Sequence, residues 1–341
     1  MNTRARRFDV MSVAFLLSTM PLAALEAPTF SGKIINVIIG FGPGGGYDAY
    51  GRLLAQHLGA YLPGRPSVVA RNMPGAGSLR LANHLFNAGA RDGTDLGVFA
   101  TSIALEPLFG GKGVQFDPRS FTWIGNIMKD ASNIAIWRNS SVKTWQDRRA
   151  RETIFGATGP GAISSIHISV AAGLLGLKTK IIHGFPGTKE ANLAMERGEI
   201  DGYGGLYLST LKTSYWGNIE RGDMKVVLHL GRSEICELGS PPSIFSLLDS
   251  EEDRQVAGLI FDQDQIGRPI AAPPTVDPAT ATTLRNGFLK VMQDSDFLAA
   301  AAKANAPVSA QSGEEVAAAS AAFFAYPPQI IKRSMTLMNR D

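Results

Sequence analysis

Two glycine-rich turns constrain this chain more than any other feature: Phe41-Gly42-Pro43-Gly44-Gly45-Gly46-Tyr47-Asp48 and Gly156-Ala157-Thr158-Gly159-Pro160-Gly161, more than a hundred residues apart. Each follows a short apolar run and precedes an amphipathic stretch. A glycine turn between strand and helix lets backbone N–H groups converge on an incoming oxygen, because no side chain blocks them and the helix start carries unpaired donors. One such turn has an equally good geometric reading, since tight strand-to-helix turns need glycine. A second changes the odds and suggests a cleft approached from two sides.

The surrounding pattern reads as repeated βα units. Residues 34–39, apolar but for Asn36, are expected to be a buried strand, and Tyr50, Leu54, Leu58 and Tyr61 share one face of the helix that follows the first turn. Strands are expected at 67–70, 96–99 and 122–127, with a helix at 79–87. The strand at 133–137 opens a second lobe. That lobe continues through a strand at 153–155, the second turn, and a helix with Ile166, Val170, Leu174 and Leu177 on one face. A strand at 180–183, a helix from Thr188 that stops at Gly198, and a strand at 223–230 complete it. The proline-rich segment 268–274 leads back to the first lobe. In the helical tail, Asp277-Pro278 opens one helix, and Ser312 with Glu315 forms a capping box for another. The expected organisation is α/β in two lobes: residues 28–130 with 240–341, and residues 131–239.

Arg4, Arg6 and Arg7, then an apolar stretch from Met11 to Leu25, then small residues at Ala23, Ala24 and Ala27 follow the three-part pattern of a secretory signal peptide, expected over residues 1–27. The stretch is shorter than a membrane span and is broken by polar residues and Pro21. Cleavage after Ala24 would remove three arginines and one aspartate, so a formal charge of +3 falls to +1. With 18% charged residues and no basic run beyond the signal, no nucleic-acid partner is expected. Cys236 is the only cysteine, which leaves no disulfide framework.

Catalytic signatures are weak. Gly44 to Ala49 fits a loose dinucleotide fingerprint, but no ribose-binding acid closes the second strand, and no phosphate-loop lysine follows either turn. Ser164, Ser165 and His167 lie too close in sequence to form a serine–histidine pair, and His167 reads as a packed or solvated helix residue. The histidines at 57, 84, 167, 183 and 229 include no pair at metal-ligand spacing. No metal or cofactor is expected. Asp48 has two readings, as a cap for the following helix or as an acceptor for a ligand's ammonium or hydroxyl group. Arg71, Arg80 and Arg138 are candidate anion partners with surface roles as the alternative.

Taken in order, the two turns, the loop Asn72-Met73-Pro74-Gly75-Ala76-Gly77 between them, Gly184-Phe185-Pro186-Gly187, residues 193–202 and residues 267–274 resemble the substrate-binding receptors of tripartite tricarboxylate transporters, the Bug family. The resemblance spans nearly the whole chain beyond the signal. It implies a periplasmic binding protein type II fold, each lobe a mixed sheet flanked by helices, with the ligand enclosed between the lobes. It further implies a soluble, monomeric periplasmic receptor, not an enzyme, that delivers a small carboxylate to membrane permease subunits. Carried onto this chain, the first ligand loop is Phe41 with Gly44, Gly45, Gly46, Tyr47 and Asp48. The second comprises Thr158, Gly159, Gly161, Ala162 and Ser164, while Thr101, Ser102, Phe185, Pro186 and Gly187 line the same cleft. Pro160 and Ala162 depart from the family pattern, which has a polar residue and a serine there, so one amide and one hydroxyl donor are lost and no named ligand transfers. An enzyme on the same fold and a sensory receptor are the alternatives.

Overall fold

The computed structural model describes residues 29–338, apart from 45, 112, 148–150, 160 and 186–187. The expected signal peptide lies outside the described residues, as do Gly45, Pro160, Pro186 and Gly187 of the expected ligand loops.

The chain begins with β1 (Ile34–Ile39), α1 (Gly46–Leu58), β2 (Ser67–Asn72), α2 (Leu79–Ala88), β3 (Asp95–Val98) and β4 (Thr122–Asn126). It then enters a second unit with β5 (Ser132–Trp137), β6 (Thr153–Ala157), α3 (Ile163–Leu175), β7 (Thr179–His183), α4 (Thr188–Glu196), β8 (Gly202–Tyr207) and β9 (Met224–His229). After α5 (Glu251–Phe261) it returns through β10 (Pro269–Ala272), α6 (Pro278–Gln293), α7 (Ser295–Lys303), β11 (Gln311–Ser312), α8 (Gly313–Ala322) and α9 (Pro328–Leu337).

Two mixed sheets result, ordered β11-β4-β10-β3-β1-β2 and β7-β6-β8-β5-β9. In the first, β1 lies parallel to β2 and β3, while β10 runs antiparallel to β3 and β4. Strand β1 lies inside the sheet between β3 and β2: Ile35, Val37 and Ile39 share one face and are fully buried, while on the other face Ile38 is buried and Ile34, at the start of the strand, is exposed. Tyr50, Leu54 and Leu58 of α1 pack inward as their spacing predicts. Tyr61 falls in a following 3-10 turn, half-buried, with its hydroxyl on Asp294. The capping box forms, with the Ser312 hydroxyl accepting from the Glu315 amide and the Glu315 carboxylate accepting from the Ser312 amide. Glycine at 198 takes the left-handed conformation beyond α4.

Strand β8 is absent from the sequence-based expectation. Its Gly-Tyr-Gly-Gly-Leu-Tyr sequence lacks the β-branched content that marks strands, and pairing to β5 and β6 on either side holds it in place. Segments 127–131 and 262–268 connect the sheets side by side. The Ile127 amide donates to the Arg268 carbonyl at 3.2 Å, that of Gly267 to Met128 at 3.1 Å, and that of Asp130 to Asp264 at 3.0 Å. Helices α5 and α9 pack against each other and against α3, although their sequence positions lie with the returning chain.

Candidate functional site

A cleft of about 870 Å³ opens between the two sheets, and both contribute its walls. The turn after β1 presents Phe41 and Tyr47, whose rings stack with centres 4.3 Å apart and planes inclined by 14°. Gly44 and Gly46 are not among the lining residues. Gly44 adopts a left-handed φ of 89°, and its amide donates to Asp48 Oδ2 at 2.9 Å. Arg52 Nε donates to the same oxygen at 2.9 Å, and Asn72 Nδ2 donates to Oδ1 at 2.8 Å. Asp48, 4% exposed, therefore buckles the turn from behind rather than facing the cleft. Its bond from Arg52, with those from Asn72 and Gly44, holds the carboxyl down at about 2 against the cost of burial. A pyrophosphate cradle at this turn would need the amide that Asp48 occupies, and would bring a second anion against a carboxylate.

The second turn faces the cleft directly. Thr158, Gly161, Ala162 and Ser164 all line it, whereas Gly159 does not. The Thr158 amide donates to Ser164 Oγ at 3.2 Å, which folds the turn onto the first residues of α3. Ala162 precedes this helix with extended backbone and, being alanine, offers no side-chain cap. The amides of Ile163 and Ser164 have no intrahelical acceptor by the geometry of a helix start, and both residues line the cleft. The positive end of the α3 dipole points there as well. Phe185 is half-buried beneath β6, where its ring lies 3.0 Å from the position a Cβ on Gly156 would take.

Residues that sequence reasoning did not select form much of the rest. Ala76, Gly77 and Leu79 extend the first wall, and Tyr203, Gly205, Leu206 and Tyr207 of β8 form the second. Gly205 has φ of 68°, and a Cβ there would lie 3.0 Å from the Ser164 amide nitrogen. The strand thus approaches the start of α3 so closely that a side chain at 205 would have to displace it. The quoted loop 72–77 was the one available sequence signal for the first group; nothing in the glycine-rich β8 segment signals the second.

Beneath the cleft, a buried polar chain joins the sheets to their crossovers. Thr101 is buried and does not line the cleft, while its neighbour Ser102 does. The Tyr207 hydroxyl donates to Asp264 Oδ1 at 3.1 Å, so the Thr101 hydroxyl, 3.2 Å away, is the donor to Tyr207. With Asp264 ionised, Ser132 Oγ donates to its Oδ2 at 2.7 Å, and His167 Nδ1, 2.7 Å from Ser132 Oγ, then carries the proton of that second bond. Burial pushes Asp264 up to about 7, opposed by the bonds from Ser132 and Tyr207 and assisted by the charge of Asp130. Burial likewise drives His167 down to about 3, so its imidazole is neutral at pH 7. The Arg268 guanidinium lies 4.5 Å from the ring centre of Tyr47, 5.2 Å from Tyr50 and 5.6 Å from Tyr207. It supplies the positive charge facing Asp130, which burial also raises and whose Oδ2 accepts from Ser209 Oγ at 2.6 Å.

Arg71, Arg80 and Arg138 do not line the cleft, and Arg138 pairs with Asp223 at 2.8 Å. Ser165, which the sequence reading did not pair with a distant histidine, has its hydroxyl 3.0 Å from His183 Nε2 in a separate pocket of about 470 Å³. Among the described residues, no group of three His, Cys, Asp or Glu side chains is placed to hold a metal ion, and no helix is long and apolar enough to cross a membrane.

No protein-family model matches the chain. No curated protein matches it in sequence. Solved structures do match. A TctC solute-binding protein from Polaromonas, without ligand, superposes with a TM-score of 0.68 at 20% identity, over 89% of this chain and 100% of that one. A Rhodopseudomonas palustris protein with adipate gives 0.66 at 14% identity, over 89% and 97% of the two chains. MatC from the same organism, with bound malate, gives 0.63 at 15% identity, over 89% and 98%. The likeness extends across both sheets and the crossovers between them, so this chain has the two-lobed periplasmic binding protein fold that its resemblance to the Bug receptors implied.

Proposed function

We propose that this protein is a periplasmic receptor that captures a small carboxylate between its lobes and delivers it to the membrane subunits of a tripartite tricarboxylate-type transporter. The observation that carries this reading is the uncapped start of α3, opening with Thr158 and Ser164 into a cleft whose opposite wall belongs to the other sheet. A carboxylate would accept from the Ile163 and Ser164 amides and gain from the helix dipole. A micromolar site needs about 8 kcal/mol, and a helix start supplies at most about 2, so charge-assisted hydrogen bonds and enclosure must provide most of the affinity. A ligand shifts an open–closed equilibrium only by its differential affinity for the two forms, which is why walls from both sheets matter.

The neighbours with malate and adipate support a carboxylate as the ligand class. On this reading the chain acts as a monomeric binding protein and not as an enzyme. Residues 1–27 are removed on export, and the lobes are 28–130 with 240–341, and 131–239, with α5 and α9 of the returning chain crossing over to pack on α3. Binding is tested on protein unfolded and refolded to strip any carried-over ligand, by melting-temperature shifts with mono-, di- and tricarboxylates against neutral sugars and amines. Saturable stabilisation confined to carboxylates is expected, reaching about 2.7 kcal/mol at a hundredfold excess over Kd. Gly161→Val, which places a branched side chain at the lip of the second turn, should abolish it. A refolded protein that no carboxylate stabilises would overturn the reading.

A further inference from the structure

The walls of the cleft carry the chemistry of its ligand further than the word carboxylate. At the second glycine turn the start of α3 opens its amides to the cleft. At the first, the Gly44 amide is consumed by Asp48, and what faces inward is the stacked pair Phe41 and Tyr47. This pair is held in place before any ligand arrives. Asn72 Nδ2 donates to the Phe41 carbonyl at 2.9 Å, the Thr101 amide donates to the Tyr47 hydroxyl at 3.3 Å, and Arg268 lies 4.5 Å from the centre of the Tyr47 ring. Leu79 and Phe109 continue the same wall, and Ile163 and Leu206 face them from the other sheet. Glu106 is the only charged side chain among the described lining residues, and it is an acid. Among the described lining residues, a second carboxylate on the ligand would meet no cation.

We infer that the cleft is built for an aromatic monocarboxylate: the carboxylate sits at the start of α3, and the ring lies against Phe41 and Tyr47, between Leu79 and Phe109 on one side and Ile163 and Leu206 on the other. This rests on the receptor reading above and specifies its ligand. With Tyr47 covered by Phe41 on one side and approached by Arg268, the wall offers the outer face of Phe41 and the edge of Tyr47; rings fixed in this way lose little freedom on binding, so offset or edge contact with a ligand ring converts efficiently into affinity. A short dicarboxylate would satisfy the second turn and leave the aromatic wall wet.

The test is isothermal titration of the refolded protein with 3-phenylpropanoate, hexanoate, succinate and citrate. 3-Phenylpropanoate should bind at least about tenfold tighter than succinate, with hexanoate between them and a negative heat-capacity change marking apolar burial. Phe41→Leu keeps the bulk and removes the flat face; it should weaken 3-phenylpropanoate by up to about tenfold and leave succinate unmoved. Leu79→Ser, at a half-buried lining position, gives the same readout if the first variant does not fold. Succinate or citrate binding as tightly as 3-phenylpropanoate would overturn this inference and leave the receptor reading standing. Unchanged 3-phenylpropanoate affinity in a folded Phe41→Leu protein would also overturn it. Failure of all four acids to bind would overturn both.

Discussion

Asp264→Asn isolates the buried chain beneath the cleft. Asp264 is 1% exposed, and its carboxyl is pushed from 3.8 up to about 7, chiefly by burial. The folded state thus holds this proton more tightly than the unfolded chain does. The resulting stability is fully present below about pH 4 and is lost as the pH rises through 7. A rise of about three units at 1.36 kcal/mol each gives on the order of 4 kcal/mol. His167 acts in the opposite sense. Its value falls from 6.5 to about 3, so its contribution is present above pH 6.5 and lost as the pH falls towards 3. Between about pH 4 and 6.5 the two slopes, each about 1.4 kcal/mol per pH unit, nearly cancel, and the wild-type profile conceals both.

Asparagine can still accept from the Ser132 amide and hydroxyl through its oxygen and turn its NH₂ group to Tyr207; only the titration is removed. Urea unfolding of both proteins from pH 4 to pH 8 provides the assay. The stability of the variant relative to wild type should climb with pH by up to about 4 kcal/mol. The variant alone should become more stable from pH 4 to 6.5, because the His167 slope is no longer offset. A variant-minus-wild-type difference that stays constant from pH 4 to 8 would show that Asp264 ionises as an ordinary carboxylate, and the account of the buried chain would fail.

Asp48→Asn should lower the melting temperature at pH 6 and do so progressively less as the pH falls towards 2. Asp48 has a depressed value, and the stability it confers is present above about 4 and lost on acidification; a penalty independent of pH would assign Asp48 no more than a packing role. Gly205→Ala places a Cβ 3.0 Å from the Ser164 amide nitrogen at a φ of 68°. It should cost about 1–2 kcal/mol of stability from backbone conformation and weaken carboxylate binding by displacing the start of α3; unfolding and titration of the same preparation check both.

Much of the fold was legible because it rests on local signals. The apolar run of β1, the one-sided spacing of Tyr50, Leu54 and Leu58, the stop at Gly198 and the Ser312–Glu315 capping box each lie within a few residues of sequence, and each appears in the structure. The two glycine turns marked the right places, but their roles differ. Whether a turn offers its amides depends on what else reaches them, and Asp48, four residues beyond Gly44, bonds that amide only because Arg52 and Asn72 hold its carboxylate there. Ala162, by contrast, left the start of α3 open, and its lack of a capping oxygen could be read directly from the sequence.

Strand β8 and the chain from Thr101 through Tyr207, Asp264 and Ser132 to His167 had no such signal. Their members are separated by up to 163 positions, and each is unremarkable in its own neighbourhood. By itself, the sequence determined most of the strands and helices around the two glycine turns and where the backbone must turn, since those choices follow from local sterics and periodicity. Only the tertiary structure decided which donors remain free, which ring faces meet the cleft and which acids lose their water, because burial and partnership exist only once distant segments have packed together.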